Sequence, residues 1–402
     1  MVHSVQCGPD EVTGEERPAD CPKEYPVKIT IPSSATLMSG IQTVLNVVPP
    51  KTTLPILSNM LLETEDGHLT IGATDLDIFI MTKIPAQISG EGSITVPGRK
   101  FAEMVRELPD APVDIEVDGV KVIIRCDRGV FRLVGISKDE YPALPDVTSE
   151  QTIEIPSSSL QRLIRKTVYA VSKDEIHPSL WGAFLRIGRG AVRMVATDGH
   201  RLAKTTLPCD VSDAATEGII VPPKALNNLS RLIGESDSPS RITIGENHVL
   251  FELENARLFA RLIEATYPDY ERVIPSGNDK VVKVNREELE SAVRRVSVLS
   301  NPTTRQIRYS FRPGFVELSS FSHDIGGEAR EEVPAEYEGE AMDTTYDFRY
   351  LLDVVERIES EDVVFKLDTP VSAGIITPSR EEAEGEDYQC LIMPFRTTEA
   401  ES

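Results

Sequence analysis

The sequence predicts an α+β protein made of three copies of one module, each with antiparallel sheets and two helices. Three observations predict it. A strand-to-helix run near the start returns twice, a second strand-to-helix run follows further along each copy, and the segments between them alternate apolar and polar residues with period two.

Taken in order, VKITIPSSATLMSGIQTVLNVV (27–48) is echoed by TIEIPSSSLQRLIRKTVYAVS (152–172) and KVVKVNREELESAVRRVSVLS (280–300). Each reads as a short strand, a polar or proline-containing cap and an amphipathic helix. Leu37, Ile41, Val44, Leu45 and Val48 form one helical stripe, and Leu160, Leu163, Ile164, Val168 and Val171 form its counterpart. The second echo is ITVPGRKFAEMVREL (94–108), IIVPPKALNNLSRLI (219–233) and TTYDFRYLLDVVERI (344–358), where Phe348, Leu351, Leu352 and Val355 repeat the stripe. Between helices, VDIEV (113–117), FRL (131–133), RITI (241–244), VLFEL (249–253) and RLFARLI (257–263) read as strands punctuated by DG, GEN and PSG turns. The modules are expected at 26–150, 151–279 and 280–402, preceded by a disordered extension over 1–25 rich in Pro, Gly and Glu.

Length and composition bound the function. The chain has 402 residues, 40% hydrophobic and 27% charged, as a soluble globular protein of two or three domains should. No apolar run approaches the ~18 residues of a membrane span, and the N-terminus lacks a basic start with an apolar middle, so a cytoplasmic protein without membrane partners is expected. Cys7, Cys21, Cys126, Cys209 and Cys390 are scattered without C-x-x-C spacing, which favours reduced thiols and no zinc site. A net charge of −23 argues against nucleic acid, but most of the excess acid lies in 1–26, 324–347 and 380–402, leaving room for a basic face elsewhere.

Enzymatic chemistry has two candidates. ATDLD (73–77) places Asp75 and Asp77 as possible metal ligands, and ATDGHRLA (196–203) groups Asp198, His200 and Arg201. Recurrence of ATD at equivalent places in two modules favours a repeated turn, since Asp caps turns through neighbouring amides. No P-loop, G-x-G-x-x-G, H-E-x-x-H or G-x-S-x-G motif is present, and no cofactor, metal or catalytic residue is expected. The informative pattern is basic: Arg162, Arg165, Lys166 and Tyr169 lie at i, i+3, i+4, i+7, opposite the Leu160 stripe. Lys224 and Arg231 in the helix at 223–233, and Arg294 with Arg295 at the end of that at 286–298, add to it. Arrayed on one surface, such bases would follow a phosphate backbone without reading sequence.

Together, TLPILSNMLLE (53–63), ATDLD, ITVPGRKF (94–101), DEYPALP (139–145), ATDGHRLA, IIVPPKAL (219–226), YPDYERVIP (267–275), VLSN (298–301) and LIMPFR (391–396) resemble, in order and spacing, the bacterial DNA sliding clamp, the β subunit of DNA polymerase III. The resemblance spans 27–396. It implies three DNA-clamp domains per chain, sheets outside and two helices each inside, with two chains closing head-to-tail as a homodimeric ring. It implies a non-catalytic processivity factor for DNA replication that encircles double-stranded DNA independently of sequence. Its partners would be the polymerase III catalytic subunit, an ATP-driven clamp loader, and other repair and replication proteins with clamp-binding motifs.

The resemblance also implies site residues. Lys51 joins Arg162, Arg165, Lys166, Lys224, Arg231, Arg294 and Arg295 as DNA-binding positions. A peptide-binding groove would combine Leu180, Thr197, Gly199, His200, Arg201 and Leu202 with Pro268, Arg272 and Val273, and with Leu391, Ile392, Met393, Pro394, Phe395 and Arg396 of a C-terminal strand. At the dimer interface Phe131 and Leu133 would meet Val298 and Leu299, while Lys100, Lys121, Arg125 and Arg128 would face Glu328, Glu331 and Glu332. Three features depart from the family: the first ~25 residues, Thr397 where a Leu commonly ends the chain, and HPSL (177–180), which has no tyrosines and is given no role. Two other readings stay open, an interaction scaffold that keeps the fold and a metal-dependent enzyme using Asp75, Asp77, Asp198 and His200.

Overall fold

A computed structural model describes residues 26–395 apart from 146, 148–151, 175, 189, 210–217, 235–237 and 325. The expected extension at 1–25, the module boundary at 150/151, and Arg396 with the residues after it lie outside the described residues.

The three copies run in parallel along the chain. The first holds β1 (Val27–Ile31), α1 (Ser34–Leu45), β2 (Asn59–Glu65), β3 (His68–Thr74), β4 (Ile78–Pro85), β5 (Gln87–Ser89), β6 (Ser93–Pro97), α2 (Gly98–Arg106), β7 (Val113–Asp118), β8 (Lys121–Cys126) and β9 (Gly129–Val134). The second holds β10 (Thr152–Pro156), α3 (Ser157–Thr167), β11 (Ala183–Gly188), β12 (Ala191–Thr197), β13 (Arg201–Pro208), β14 (Ile219–Val221), α4 (Pro223–Ile233), β15 (Pro239–Ile244), β16 (His248–Glu252) and β17 (Ala256–Arg261). The third holds β18 (Lys280–Asn285), α5 (Arg286–Ser297), β19 (Gln306–Arg312), β20 (Phe315–Ser322), β21 (Gly327–Glu336), β22 (Met342–Asp347), α6 (Phe348–Val355), β23 (Asp362–Leu367), β24 (Gly374–Pro378) and β25 (Asp387–Ile392).

Local chemistry explains the helix starts. Ser33, Asn285 and Asp347 accept hydrogen bonds from the first free amides of α1, α5 and α6. α4 instead opens on Pro223, whose fixed φ and missing N–H suit a first turn. α1 ends at Leu45, earlier than the stripe suggests, but Val47 and Val48 are still buried in the turn that follows. The stripe residues Leu37, Ile41 and Val44, with Leu160, Leu163 and Ile164 and with Leu351 and Val355, all sit in the core, as do Leu289, Val293 and Val296 of α5. In each copy the two helices pack on each other, and the first packs on its module's sheet.

The sheets do not respect module limits. A five-stranded sheet, β5-β1-β7-β8-β9, belongs to the first copy. An eight-stranded sheet, β10-β15-β16-β17-β4-β3-β2-β6, joins the second copy to the first through β17 and β4. A twelve-stranded sheet, β14-β11-β12-β13-β25-β24-β23-β18-β21-β20-β19-β22, joins the third to the second through β25 and β13. All described pairings are antiparallel, so each junction is an ordinary ladder with its backbone groups satisfied. β4 and β13 are equivalent strands of successive copies, as are β17 and β25.

Two strands are left over. β9 pairs with β8 on one side only, and β21, the third copy's equivalent of β4 and β13, pairs with β20 along its length but meets β18 only at Ala335 and Glu336. Val130, Phe131 and Val134 are exposed apolar residues on the free edge of β9, an arrangement that an isolated sheet avoids.

Candidate functional site

The two ATD segments are the same turn. Thr74 Oγ1 donates to Ile78 O at 2.8 Å and accepts from Leu76 N, while Asp75 Oδ1 accepts from Asp77 N and Ile78 N. Thr197 Oγ1 donates to Arg201 O at 2.6 Å and accepts from Gly199 N, while Asp198 Oδ1 accepts from His200 N and Arg201 N. The third residue of each turn is left-handed, Leu76 at φ 83° and Gly199 at φ 87°. The aspartates thus hold backbone amides, as the repeated-turn reading expects, and among the described residues no His, Cys, Asp or Glu cluster of three could hold a metal.

Beyond the second turn lies a buried apolar cluster across the β13–β25 junction. Val195, Leu202, Tyr270, Ala373, Ile375 and Leu391 pack together, with Phe184, Tyr267 and Ile274 against them. Phe184 and Tyr267 stack at 4.8 Å between ring centroids. Of the expected groove residues, Gly199, His200, Pro268, Arg272 and Val273 are exposed, Thr197 and Leu180 are half-buried, and Met393 is 48% exposed. Leu202 and Leu391 lie within the buried cluster, paired opposite each other. Sequence reasoning missed Phe184, Tyr267, Tyr270 and Ile375; the two tyrosines stand in the YPDYERVIP motif, which was the signal available.

Several expected groove residues are elsewhere. Arg201 and Ile392 pair opposite each other one position from Leu202 and Leu391, so strand alternation turns both to the other face. Ile392 is fully buried in the main core. Arg201 is also buried, and its guanidinium bonds to Asp198 at 3.1 Å, to Asp353 of α6 at 2.5 Å and to Tyr169 O at 2.7 Å, with Tyr350 stacked 4.5 Å away. Burial works against its charge, but Asp353 and Asp198 outweigh it and raise its pKa. Nor is 393–395 a strand: β25 ends at Ile392, because Pro394 has no N–H with which to continue a ladder. Met393 N still donates to His200 O at 2.8 Å, whereas Phe395 N turns to Thr345 O of the third copy. Met393 and Phe395 consequently do not share one strand face.

The basic surface also differs from expectation. Lys166 is fully buried, salt-bridged to Glu382 with Glu386 at 3.9 Å and with its ammonium 4.3 Å above the Tyr388 ring. Burial lowers its pKa, and Glu382 opposes that. Arg162 is mostly buried and bonds to Glu386 at 2.8 Å and Glu359 at 3.0 Å. Lys166 has no exposed surface and Arg162 little, because Glu382 and Glu386, from the segment between β24 and β25, pair with them. Arg165 pairs with Glu359, Lys224 with Asp75, Arg294 with Glu290 and Glu356, and Arg295 with Glu331. Lys51 and Arg231 are exposed and make no ion pair among the described residues.

At the free edges, Phe131 is 37% exposed, Leu133 is half-buried, Val298 is 72% exposed at the end of α5, and Leu299 packs beside Gly327 of β21. Lys121, Arg128, Glu328 and Glu332 are exposed. Three expected intermolecular charges already have partners within the chain: Arg125 with Glu116, Lys100 with Glu103, and Glu331 with Arg295. Arg132, exposed in the middle of β9, was missed.

Comparison with known proteins agrees along the whole described chain. Residues 27–145, 154–269 and 271–396 match the N-terminal, central and C-terminal domains of the DNA polymerase III beta subunit. The beta sliding clamp of Pseudomonas aeruginosa is 33% identical over 362 residues, 90% of this chain and 97% of that protein. That of Caulobacter vibrioides is 33% identical over 377 residues, 92% of this chain and 100% of its own. Among solved structures, the sliding clamp of Pseudomonas aeruginosa bound to griselimycin superposes with a TM-score of 0.88 at 32% identity, over 92% of this chain and 100% of that one. The clamp of Bacillus subtilis gives 0.87 at 32%, over 93% and 100%.

Proposed function

The chain belongs to the bacterial sliding-clamp family, the β subunits of DNA polymerase III, and from that premise we propose that two copies close head-to-tail into a ring around duplex DNA. It is a processivity factor and catalyses nothing itself. A closed ring slides because no base contact has to break, and it keeps a tethered polymerase at high effective concentration.

One observation carries the ring. Both junctions inside the chain join a strand of the β4/β13 type to one of the β17/β25 type, and β21 and β9 are the unmated members of the same two sets. Repeating the junction between chains uses each free edge once, which gives a closed two-fold assembly with six modules. The register of β17 on β4 can be transferred residue by residue. Ala260 opposite Ile78 becomes Leu133 opposite Gly327, Phe259 opposite Phe79 becomes Arg132 opposite Glu328, and Leu258 opposite Ile80 becomes Phe131 opposite Ala329. Val298 and Leu299, beside the start of β21, then meet the apolar side of β9.

The apolar cluster at Leu202 and Leu391, with Met393 exposed next to it in the chain, supports reading this junction as the receptor for a short apolar peptide, with Met393 as an adaptable wall. In this reading it takes the clamp-binding motifs of the polymerase catalytic subunit, the clamp loader and repair proteins, and the chain works in the cytoplasm at the replication fork. Lys51 and Arg231 are the bases best placed to meet DNA. The test is retention after loading: the protein should remain on closed circular duplex and run off the same duplex once linearised. Equal loss from both would overturn the ring.

A further inference from the structure

α6 ends at Val355 with Glu356 as its C-cap, and the short stretch that follows carries Glu359. These two carboxylates reach four bases on three elements. Glu356 bonds to Arg294 of α5 at 2.5 Å and to Arg357 at 3.4 Å, while Glu290 also holds Arg294 at 3.0 Å; Glu359 bonds to Arg162 at 3.0 Å and to Arg165, both on α3. One stretch of the third copy thus stands between the basic ends of a helix in its own module and a helix in the neighbouring module. Glu382 and Glu386 complete the compensation of α3 from beneath, on Arg162 and Lys166. Glu356 and Glu359 differ from that lower pair in being partly exposed, as are Arg165 and Arg294.

Exposed ion pairs contribute little to stability, so these carboxylates do not serve chiefly to hold the helices together. Their effect on a passing polyanion is larger. A phosphate approaching Arg165 or Arg294 meets a guanidinium and a carboxylate within one Debye length of each other, and sees nearly no net charge. Whether the side chains stay paired or part for a moment, the negative charge remains beside the base.

We propose that Glu356 and Glu359 are a counter-charge brake on DNA contact: they neutralise Arg165 and Arg294 on the helix surface, so that the clamp holds DNA by topology with few ionic contacts. The proposal rests on the clamp reading above and concerns how that surface is tuned. Each phosphate neutralised by a protein cation contributes about −0.9 to the slope of log affinity against log salt. Removing both carboxylates frees Arg165 outright and leaves Arg294 with Glu290 alone, so the slope should steepen by about −0.9.

The experiment measures direct binding of the full-length dimer to a short linear fluorescent duplex across a salt series, for the parent and for Glu356→Gln with Glu359→Gln. Between about 50 and 200 mM salt the double variant should lose roughly threefold to fourfold more affinity than the parent, and it should bind more tightly at the low-salt end. Adding Arg165→Gln and Arg294→Gln should return the slope to the parent's. Equal slopes for parent and double variant, or a steep slope that survives removal of both arginines, would overturn the proposal. Loader-dependent retention on circular duplex is measured alongside. If the parent is retained there but the slopes do not differ, only the brake falls; if the parent is not retained, the clamp reading falls and takes the brake with it. Should the double variant melt early, Glu359→Gln alone carries the test, since it is the change that frees Arg165.

Discussion

Leu202 of β13 stands directly opposite Leu391 of β25, so the buried apolar cluster they share is also the seam between the second and third modules. A peptide seated there would touch both modules, and its affinity should depend on the exposed walls as well as the cluster. Val273→Ala together with Met393→Ala removes two half-exposed walls without opening the core. At about 1 kcal/mol for each partly buried side chain, affinity for a short apolar clamp-binding peptide should fall roughly tenfold to thirtyfold. Fluorescence anisotropy would read it, with dimer mass unchanged; unaltered affinity would place the peptide elsewhere.

The transferred register makes a second prediction, on charge. Arg132→Glu would set two carboxylates opposite each other across the closing ladder, and Glu328→Arg would set two guanidiniums there. Each alone should shift the dimer toward monomer in sedimentation at micromolar concentration, and the two together should restore it. Failure of the pair to rescue either single variant would refute this register. Val298→Asp with Leu299→Asp should split the ring in any register, by burying unpaired charge.

These edges show what the sequence made legible. The three modules follow from the repeat and from helical and strand periods, because both express core burial, and the cores at Leu37, Leu160 and Leu351 lie where the stripes put them. The Arg201 and Ile392 assignments went astray although alternation was readable, because a motif carried over as a block does not distinguish the two faces of a strand. Lys166 was not readable at all. Helical spacing says that it lies away from the Leu160 stripe, but not that a segment far along the chain, around Glu382, folds back over it.

That buried pair gives a third prediction. Glu382 accepts from Lys166 and, through its other oxygen, from the amides of Glu359 and Ser360 at 2.6 and 2.7 Å. Glu382→Gln would leave the Lys166 charge with only Glu386, 3.9 Å away, and should destabilise the junction of the second and third modules by about 3 kcal/mol. Thermal unfolding should begin earlier, and amide exchange should quicken in α3 and β25 before α1. Replacing Lys166 by Met in the same chain should recover part of the loss, since no unpaired charge is then buried. A loss undiminished by Lys166→Met would show that the amide bonds of Glu382, and not its charge, hold this junction.

The last prediction concerns pH. Asp347 caps α6 by accepting from Arg349 N, and it lies beside Asp353 and Asp198 as well as Arg305 and Arg201. Burial pushes its carboxyl up to about 6, and the two neighbouring aspartates push in the same direction, while the two arginines oppose. The folded protein therefore binds this proton more readily than the unfolded chain does. The sign follows from linkage: this group's stabilising contribution is full below the unfolded value near 3.8 and is lost as pH rises through about 6. Asp347→Asn keeps an oxygen for the cap and removes the charge. The variant should match or exceed the parent at pH 8, by on the order of 1 kcal/mol, and the advantage should shrink as pH falls toward 5. Urea unfolding of both proteins at the two pH values decides it, since an advantage that grows toward acid would mean that Asp347 is stabilised as the anion by Arg201 and Arg305, reversing the balance inferred from its burial.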